Sequence, residues 1–444
     1  MTSAVKSEQS NRSVLVQFIL IYFFIHIVIY SSHNYRETLA KEVFKISSQD
    51  YSFIEMISVI KLAGSITSTY ISQRYVRPLV VTFIATSIFI LSLVVLINNV
   101  IENKYANLLL GCLHIVADSA ILPTIDAECL TLLNNRGISQ KFSKIRVFST
   151  IGHSITYLIN MFIQRTFQDT KMGRSILIST LSFGIVTIAC LANTLFTISY
   201  TSEKEDSKMV HSDDKVQSKS KISQKSFKSE NENAFEKVLS TFKLFRVDYV
   251  IILAAAVGSG ISRSSLQSYL SEYLRNTRAS SDEGYIYFTR TLCELFVWSV
   301  VIWLGDRVSL EALFPVAIGL GAVRALFYSI SPSNEIIRWI LPYIAEMFKS
   351  AYSALFIYVC TKLAHKYAGS NQKTLSQGVF TGFYSGLSPF LAGLLSYHVF
   401  SVSKNSDFQD KEKLFRIAGC IGLGATALSF VLYLRSIRNR KVAI

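Results

Sequence analysis

Apolar runs of about twenty residues recur from one end of this 444-residue sequence to the other. An α-helix of that length spans the hydrocarbon core of a bilayer, where every backbone polar group must be satisfied within the segment. The sequence therefore predicts an all-α membrane protein with twelve transmembrane helices. The predicted spans cover residues 13–31, 51–71, 78–99, 107–131, 145–164, 175–199, 248–272, 283–304, 309–330, 336–361, 375–400 and 413–434.

The charge balance fits a membrane protein better than a nucleic-acid-binding one. Charged residues make up only 17% of the sequence, against roughly 25% in soluble domains. The net charge of +15 arises mainly in short loops and at the C-terminus, where basic residues set orientation and contact anionic lipid. We expect the lipid bilayer, and no nucleic acid, among the partners.

A polar segment divides the chain into two halves. Residues 201 to about 236 mix both charge signs, contain almost no large apolar side chains and cannot fold alone, so we expect a cytoplasmic linker over residues 201–247. The six-helix halves would be residues 13–200 and 248–434. An even number of spans places both termini on one side, and the basic loops indicate the cytoplasm. Residues 1–12 then form a cytoplasmic N-terminus, not a cleaved signal peptide, and residues 435–444 a basic tail.

No motif of an enzyme or a metal site is present in the sequence. There is no Walker loop and no nucleophile elbow, so neither an ATPase nor a hydrolase is indicated. The six cysteines all lie in apolar runs without metal-ligand spacing, and we interpret them as packing residues. We expect no cofactor and no metal.

Charged residues inside the spans carry the functional argument. A charge facing lipid is costly, so these residues are expected to pair with one another or to line a polar cavity. Arg290 and Glu294 are four residues apart and could pair on one helix, and Glu346 and Lys349 share a helix face. For any one pair, a structural salt bridge and a role in function both remain open. The residues concerned are Glu55, Lys61, Asp118, Asp126, Glu128, Arg146, Arg263, Arg290, Glu294, Arg324, Glu346 and Lys349.

The run PTIDAECL followed by KFSKIRVFSTIG resembles a known signature. It is similar to the fourth and fifth helices of the lactose permease and nucleoside symporter branch of the major facilitator superfamily. The resemblance implies that Asp126 and Arg146 form the acid–arginine pair that binds sugar in lactose permease. TRTLCELFVWSVVIWLGDRV and GAVRALFYSI resemble the eighth and ninth helices, which places Glu294 and Arg324 at the family's acid and arginine. AEMFKSAYSALF and LSQGVFTGFYSGLSPFLAGLL resemble the tenth and eleventh.

The sequence also departs from the pattern of this family. Glu346 and Lys349 stand where lactose permease has a histidine and a glutamate, so a lysine replaces the proton-releasing carboxylate. Gln73 replaces the aspartate usual in the first-half loop, whereas the second-half loop keeps Asp306. The acidic residues of the seventh helix are missing, and Arg263 lies nearby. The family's substrate and proton chemistry therefore cannot be transferred directly.

The resemblance implies a monomeric secondary transporter, working by alternating access in the plasma membrane or an internal, vacuolar-type membrane. Its expected cargo is a small polar solute such as a sugar or a nucleoside, coupled to protons. The expected solute-binding residues are Asp126, Arg146, Glu294, Arg324 and Arg263. The expected proton-coupling residues are Glu294, Glu346 and Lys349, and the expected gating loops contain Arg74, Arg77, Asp306 and Arg307.

Two other functions remain open at the level of the sequence. The first is transport of an organic anion, since basic and acidic residues of the expected cavity nearly balance. The second is a transporter-like sensor or scaffold without net transport. The altered proton-coupling positions and the Gln73 loop are compatible with that second alternative.

Overall fold

The computed structural model describes residues 2–98, 100–101, 103–138, 141–166, 172–212, 247–277, 282–305, 307–330, 332, 334–367, 379–402 and 407–442. Within these ranges the chain is helical and contains no strand. The helices are α1 Thr2–His33, α2 Arg36–Phe44, α3 Ser48–Ile57, α4 Ile60–Arg74, α5 Pro78–Ile97, α6 Lys104–Asn135, α7 Phe142–Thr166, α8 Met172–Ser212, α9 Val247–Thr277, α10 Asp282–Gly305, α11 Leu310–Tyr328, α12 Glu335–Tyr367, α13 Ser388–Val402 and α14 Asp407–Val442. A π-helical turn, Phe383–Leu387, leads into α13.

Eight segments of the described residues are long and apolar enough to cross a membrane, and the protein is a multi-pass integral membrane protein. The other four predicted spans are also helical, as α3 with α4, α7, α10 and α12, but they are more polar. Their polar residues face the interior of the protein, as described below, which lowers their hydropathy. The count of twelve stays a prediction. The eight segments are Ser13–His33, Pro78–Ile97, Tyr105–Leu133, Gly173–Ile198, Val247–Asn276, Leu310–Tyr328, Val379–Val402 and Asp407–Arg438.

The second predicted span is two helices rather than one. Ser58 donates its backbone N–H to the carbonyl of Glu55 at 3.0 Å, and Lys61 bonds back to Ser58 at 3.0 Å. Such i to i−3 bonds tighten the helix locally and change its direction. The break therefore separates Glu55, near the start of the span, from Lys61 in its inner part.

Three clusters of buried apolar side chains hold the helices together. One lies in the first half around Phe18, Phe89 and Ile125, and a second lies in the second half around Phe314 and Phe356. The third cluster contains residues from both halves, among them Tyr35, Tyr51, Tyr157, Tyr269, Leu274 and Tyr287. Each half thus has its own core, and the third cluster is where the halves meet.

The halves meet at the end of the helices that lies away from the two chain termini. We call this end the distal face and the opposite end the terminal face. Across the distal face, Thr38 bonds to Ser271 at 3.1 Å and Ser52 to Tyr269 at 2.8 Å. A Cβ added to Gly393 on α13 would lie 2.8 Å from the carbonyl oxygen of Ser52 on α3, so these backbones are in close contact.

Ion pairs at the terminal face stay within one half in the part of the chain that the structure describes. They are Arg77–Glu128 at 2.7 Å, Arg435–Asp248 at 2.8 Å, and Lys366–Glu311. The structure is therefore a conformation closed at the distal face.

The predicted boundaries around the polar segments shift in the structure. Helix α8 continues to Ser212, beyond the predicted end of the first half at residue 200, and α1 already begins at Thr2. Helix α14 continues to Val442, so most of the predicted tail extends the last helix. The remainder of the predicted linker, residues 213–246, lies outside the described residues.

Candidate functional site

Asp126 on α6 and Arg146 on α7 form an ion pair, as the family resemblance implies. Nη2 of Arg146 lies 3.1 Å from Oδ2 of Asp126. Both side chains are partly exposed, Arg146 by 37% and Asp126 by 26%. The hydroxyl of Tyr22 donates to the other oxygen of Asp126 at 2.5 Å. The guanidinium of Arg146 lies 5.6 Å from the centre of the Tyr22 ring. Asp126 and Arg146 thus present hydrogen-bonding groups at an accessible position, and the fully buried Tyr22 holds Asp126 from a third helix.

Glu128, two residues after Asp126, has a different partner. Its Oε1 accepts from Nε of Arg77 at 2.7 Å, which ties the loop before α5 to the end of α6. Arg77 is thus the expected gating residue for which the structure shows an ionic contact. In the second half, the Arg307 guanidinium lies 4.3 Å over a tryptophan ring. The side chain of Arg74 and the whole of Asp306 lie outside the described residues.

Glu346 on α12 is at the centre of a buried ionic cluster. Arg324 on α11 donates to its Oε1 from Nε at 2.9 Å and from Nη2 at 2.7 Å. Arg290 on α10 donates to its Oε2 at 3.3 Å, and the hydroxyl of Tyr328 donates to Oε1 at 3.1 Å. Each side chain is almost fully buried. This cluster, named here the Glu346 cluster, joins three helices of the second half.

The Glu346 cluster changes the interpretation of two sequence-based expectations. Arg290 was a candidate partner of Glu294 on the same helix, but the structure directs it to Glu346. Arg324 was expected to bind solute, but its guanidinium is engaged by Glu346 and only 2% exposed. Glu346 itself is occupied by two cations, which gives it a structural role in this conformation.

Arg263, Lys349 and Glu294 form no ion pair among the described residues. The Arg263 guanidinium lies 4.6 Å over the Tyr384 ring, and its Nε is buried without a hydrogen-bond partner. Nζ of Lys349 lies 5.1 Å from the centre of the Tyr352 ring. Lys349 is in electrostatic range of both Glu294 and Arg263. These groups supply two cations and one carboxylate from the second half.

Tyr30 on α1 shows that the charged groups of both halves surround one central region. It is in electrostatic range of Arg146 and Asp118 in the first half and of Glu294 and Arg263 in the second half. We call this region the central site. Of the sequence-predicted residues, Arg146, Glu294 and Arg263 are in range of Tyr30, Asp126 pairs with Arg146, and Lys349 is in range of Glu294 and Arg263. Arg324 and Glu346 pair with each other in the Glu346 cluster.

Sequence reasoning missed the aromatic residues of the central site. The Tyr30 ring stacks on His153 at 3.7 Å, and His153 Nε2 shares a hydrogen bond of 2.7 Å with the hydroxyl of Tyr157. That hydroxyl also accepts from Arg290 at 2.7 Å and from Asn34. Tyr157 therefore connects the first half to the Glu346 cluster. The available signal was its spacing of four residues from His153, which places both on one face of α7.

A second buried ionic group lies in the first half, beside the break between α3 and α4. Asp118 on α6 accepts from Nζ of Lys61 at 2.8 Å and is approached by Arg36 at 3.5 Å. The two cations neutralise a carboxylate that would otherwise be costly inside the bilayer. Lys61 and Asp118, which the sequence leaves without assigned partners, thus pair with each other.

Comparison with solved structures places the fold among transporters. The nucleoside transporter NupG has a TM-score of 0.71 at 12% identity, over 94% of this chain and 98% of that chain. A D-xylose–proton symporter has a TM-score of 0.64 at 14% identity, over 94% and 96%. A proton-dependent oligopeptide transporter structure has a TM-score of 0.65 at 12% identity, over 94% and 97%. No curated protein matches the chain in sequence.

The sequence profile described as "MFS_1 like family" matches residues 15–409, nearly the whole chain. This match agrees with the resemblance carried by the fourth, fifth and eighth to eleventh predicted spans, and it indicates a transporter rather than an enzyme. The chain belongs to the MFS_1 like family.

Proposed function

We propose that the protein is a secondary active transporter that moves a small polar solute, such as a sugar or nucleoside, together with protons. The observation that carries this proposal is the partly exposed pair of Asp126 and Arg146 beside the central site, which the buried Tyr22 supports. A carboxylate accepts hydrogen bonds from a solute hydroxyl, and a guanidinium donates to one, with charge assistance in both cases. Nucleoside and xylose–proton transporters among the similar folds support this class of cargo.

Glu294 is our proposed proton-coupling residue. Of the two carboxylates expected to couple protons, Glu346 is held by two arginines, whereas Glu294 makes no ion pair among the described residues. Lys349 and Arg290 are the basic residues in electrostatic range of Glu294. A carboxyl that borders the central site can gain or lose a proton as solute binds, because the bound solute changes the electrostatic environment of the carboxyl and the proton changes that of the solute.

We take one chain as the transporting unit, because both halves that form the central site come from the same chain. The similar fold of PepTSo2, described as tetrameric, has a TM-score of 0.66 at 11% identity, over 97% of this chain and 99% of that chain. Assembly of complete units into larger oligomers is compatible with this proposal.

Loss of either member of the Asp126–Arg146 pair should abolish most uptake. Hydrogen bonds to charged groups contribute roughly 1.5–3 kcal/mol each, which corresponds to a decrease of about 10- to 100-fold in uptake at low solute concentration. The measurement is initial uptake into proteoliposomes by Arg146→Ala and Asp126→Asn variants. Arg165→Ala is the matched control, since Arg165 is an exposed arginine on the same helix. Normal uptake by both variants would exclude this pair as the solute site.

Transport of an organic anion is a second candidate, favoured by one specific observation. The sequence suggested that cavity charges nearly balance. Glu346 pairs with Arg290 and Arg324, so among the described second-half residues of the central site Glu294 is the carboxylate that remains to balance Arg263 and Lys349. An anionic solute would compensate the remaining positive charge, whereas a neutral solute would not.

Thermal unfolding of the purified protein separates these candidates. A ligand at 100 times its Kd stabilises a protein by about 2.7 kcal/mol, so the correct class should raise Tm as its concentration increases. If organic acids raise Tm, Arg263→Gln and Lys349→Met should lose that shift and Asp126→Asn should keep it. If sugars or nucleosides raise Tm, Asp126→Asn should lose that shift, and Arg263→Gln and Lys349→Met should keep it. A shift in Tm without solute flux into proteoliposomes would identify a sensor or scaffold.

A further inference from the structure

Glu55 is a buried carboxyl that has no role in the transport function proposed above. It lies on α3, at the distal face, and its side chain is buried, with 5% of its surface exposed. Its Oε1 is 2.6 Å from the hydroxyl of Ser268 on α9, in the other half of the protein. Its Oε2 is buried without a hydrogen-bond partner. This carboxyl is therefore enclosed between the two halves by neutral groups.

The charged groups nearest to Glu55 on its own half are committed elsewhere. Helix α2 contributes Arg36, which approaches Asp118, and Glu37, which is paired with Lys411 on α14. The titratable neighbour on α3 itself is Tyr51, one turn before Glu55. Arg36 favours the ionised form of Glu55 and Glu37 disfavours it, so the two charges on α2 oppose each other.

The elements of the second half that pack against α3 provide no counter-charge in contact with Glu55. Helix α9 contributes Tyr269, which bonds to Ser52, and, at longer range, Arg263, which lies over Tyr384. The titratable residues of α13 are Tyr397, which packs against Phe53, and His398. In the described part of the chain, Glu55 thus forms no ion pair with any element around it.

A carboxyl in such a position is stable when it is neutral. An ionised carboxylate buried with a single neutral hydrogen bond would retain most of its desolvation cost, whereas the protonated form does not. The protonated form can donate from Oε1 to the hydroxyl of Ser268 over the observed 2.6 Å. The closed contact between α3 and α9 is therefore compatible with a bound proton and unfavourable for a negative charge.

We propose that Glu55 is a proton-binding site that is occupied when the distal face is closed and empties to the distal solution when the halves separate. The proposal depends on the alternating-access part of the proposed function, but not on the solute or on Glu294. Opening separates α3 from α9 and hydrates the carboxyl, which then releases its proton. Since the closed state binds one more proton than the open state, closure is favoured as distal pH falls. The ratio of closed to open protein should change by up to tenfold per pH unit.

Distances between spin labels across the distal face test this proposal on the full-length protein in lipid nanodiscs. Labels at Thr166→Cys on α7 and Ser401→Cys on α13, both exposed, report closure after replacement of the six native cysteines. The short-distance population should increase on acidification. Glu55→Gln resembles the protonated carboxyl, so this variant should be mainly closed at every pH. The pH dependence of its closed-to-open ratio should be weaker than in the parent, by a factor of up to ten per pH unit. Glu335→Gln removes an exposed carboxyl at the start of α12 and should keep the full slope.

Infrared difference spectroscopy gives a second measurement that needs no labels. The closed protein should show the carbonyl band of a protonated carboxylic acid, and Glu55→Gln should lose part of it. Other carboxyls, such as the buried Glu283 at the distal face and Glu294 at the central site, can contribute to a band that remains. An unchanged pH slope or an unchanged band in Glu55→Gln would overturn the proposal. Normal uptake by Arg146→Ala and Asp126→Asn, with the pH slope of the parent intact, would contradict the solute assignment and leave the Glu55 site supported.

Discussion

Replacement of Glu346 by alanine should destabilise the protein more than any other single substitution considered above. The carboxylate accepts four hydrogen bonds, two from Arg324 and one each from Arg290 and Tyr328. Without it, two guanidinium groups that are at most 4% exposed keep their positive charges with no carboxylate partner. Breaking a buried ion pair by removing one partner costs about 3–5 kcal/mol. We expect a large decrease in Tm and in the yield of monodisperse protein.

Two further variants separate the missing charge from the missing volume. Glu346→Gln preserves the shape and some hydrogen bonds but leaves the arginines uncompensated, so it should remain strongly destabilised. The triple variant Glu346→Met, Arg290→Met and Arg324→Met removes the charges together. It should recover much of the stability, because buried ionic clusters can be replaced by packed apolar residues of similar volume. A Glu346→Ala protein as stable as the parent would show that the cluster does not hold these helices.

The sequence predicts the helical architecture well because hydrophobic runs act locally. A run of about twenty apolar residues has one low-cost structure in lipid, whatever surrounds it. The Asp126–Arg146 pair could also be expected, since the resemblance is carried by the two consecutive runs that contain these residues. In both cases the information is contained in neighbouring parts of the chain.

The partners of the second-half charges could not be obtained in the same way. The spacing of Arg290 and Glu294 indicates only that they share a helix face. It contains no information on which residue of α11 or α12 lies opposite, and the structure places Glu346 there, 56 positions from Arg290. Tertiary contacts between helices decide the pairing, and a two-arginine site satisfies Glu346 better than a single neighbour on its own helix.

The break in the second span and the short helix α2 were likewise missed. The sequence predicted one continuous helix from residue 51 to 71, whereas the chain turns at Ser58. Residues 36–44 contain several charges and no long apolar run, so hydropathy gives no sign of an ordered helix there. Helix α2 makes ionic contacts with the other half and also packs Leu39 and Ala40 into the apolar cluster that both halves share.

The contacts of α2 form an ionic latch across the distal face, which consists of Glu37 and Lys41 with Asp407 and Lys411. Oε1 of Glu37 lies 3.1 Å from Nζ of Lys411, and both side chains are fully buried. Lys41 reaches Asp407 at 2.8 Å and Glu37 at 3.4 Å, and Lys411 reaches Asp407 at 3.0 Å. The first two residues belong to the first half and the last two to the second. Opening of the distal face requires these contacts to break.

Lys411→Met should therefore shift the protein strongly towards the distal-open state. In the open state water solvates Glu37, so the substitution mainly affects the closed state, where the carboxylate loses its buried partner. A cost of about 3–5 kcal/mol for breaking a buried pair corresponds to a decrease of roughly two to nearly four orders of magnitude in the closed-to-open ratio. Spin-label distances between positions 166 and 401 measure this ratio directly.

Closure of the Lys411→Met variant should depend on pH. Burial already raises the pKa of Glu37 above its ordinary value, although Lys411 and Lys41 act to lower it. Removal of Lys411 should raise that pKa further in the closed state. The closed state then binds an additional proton, so closure should recover as pH falls and be lost again as pH rises.

The double variant Glu37→Gln with Lys411→Met removes both charges and should close more readily than Lys411→Met alone. The difference between the change in closure free energy of the double variant and the sum of the changes in the two single variants measures the coupling between Glu37 and Lys411. Lys411→Arg keeps the charge and should remain near the parent distribution. Equal distance distributions in the parent and Lys411→Met would mean that apolar contacts, such as those between α3 and α13, keep the distal face closed without the latch.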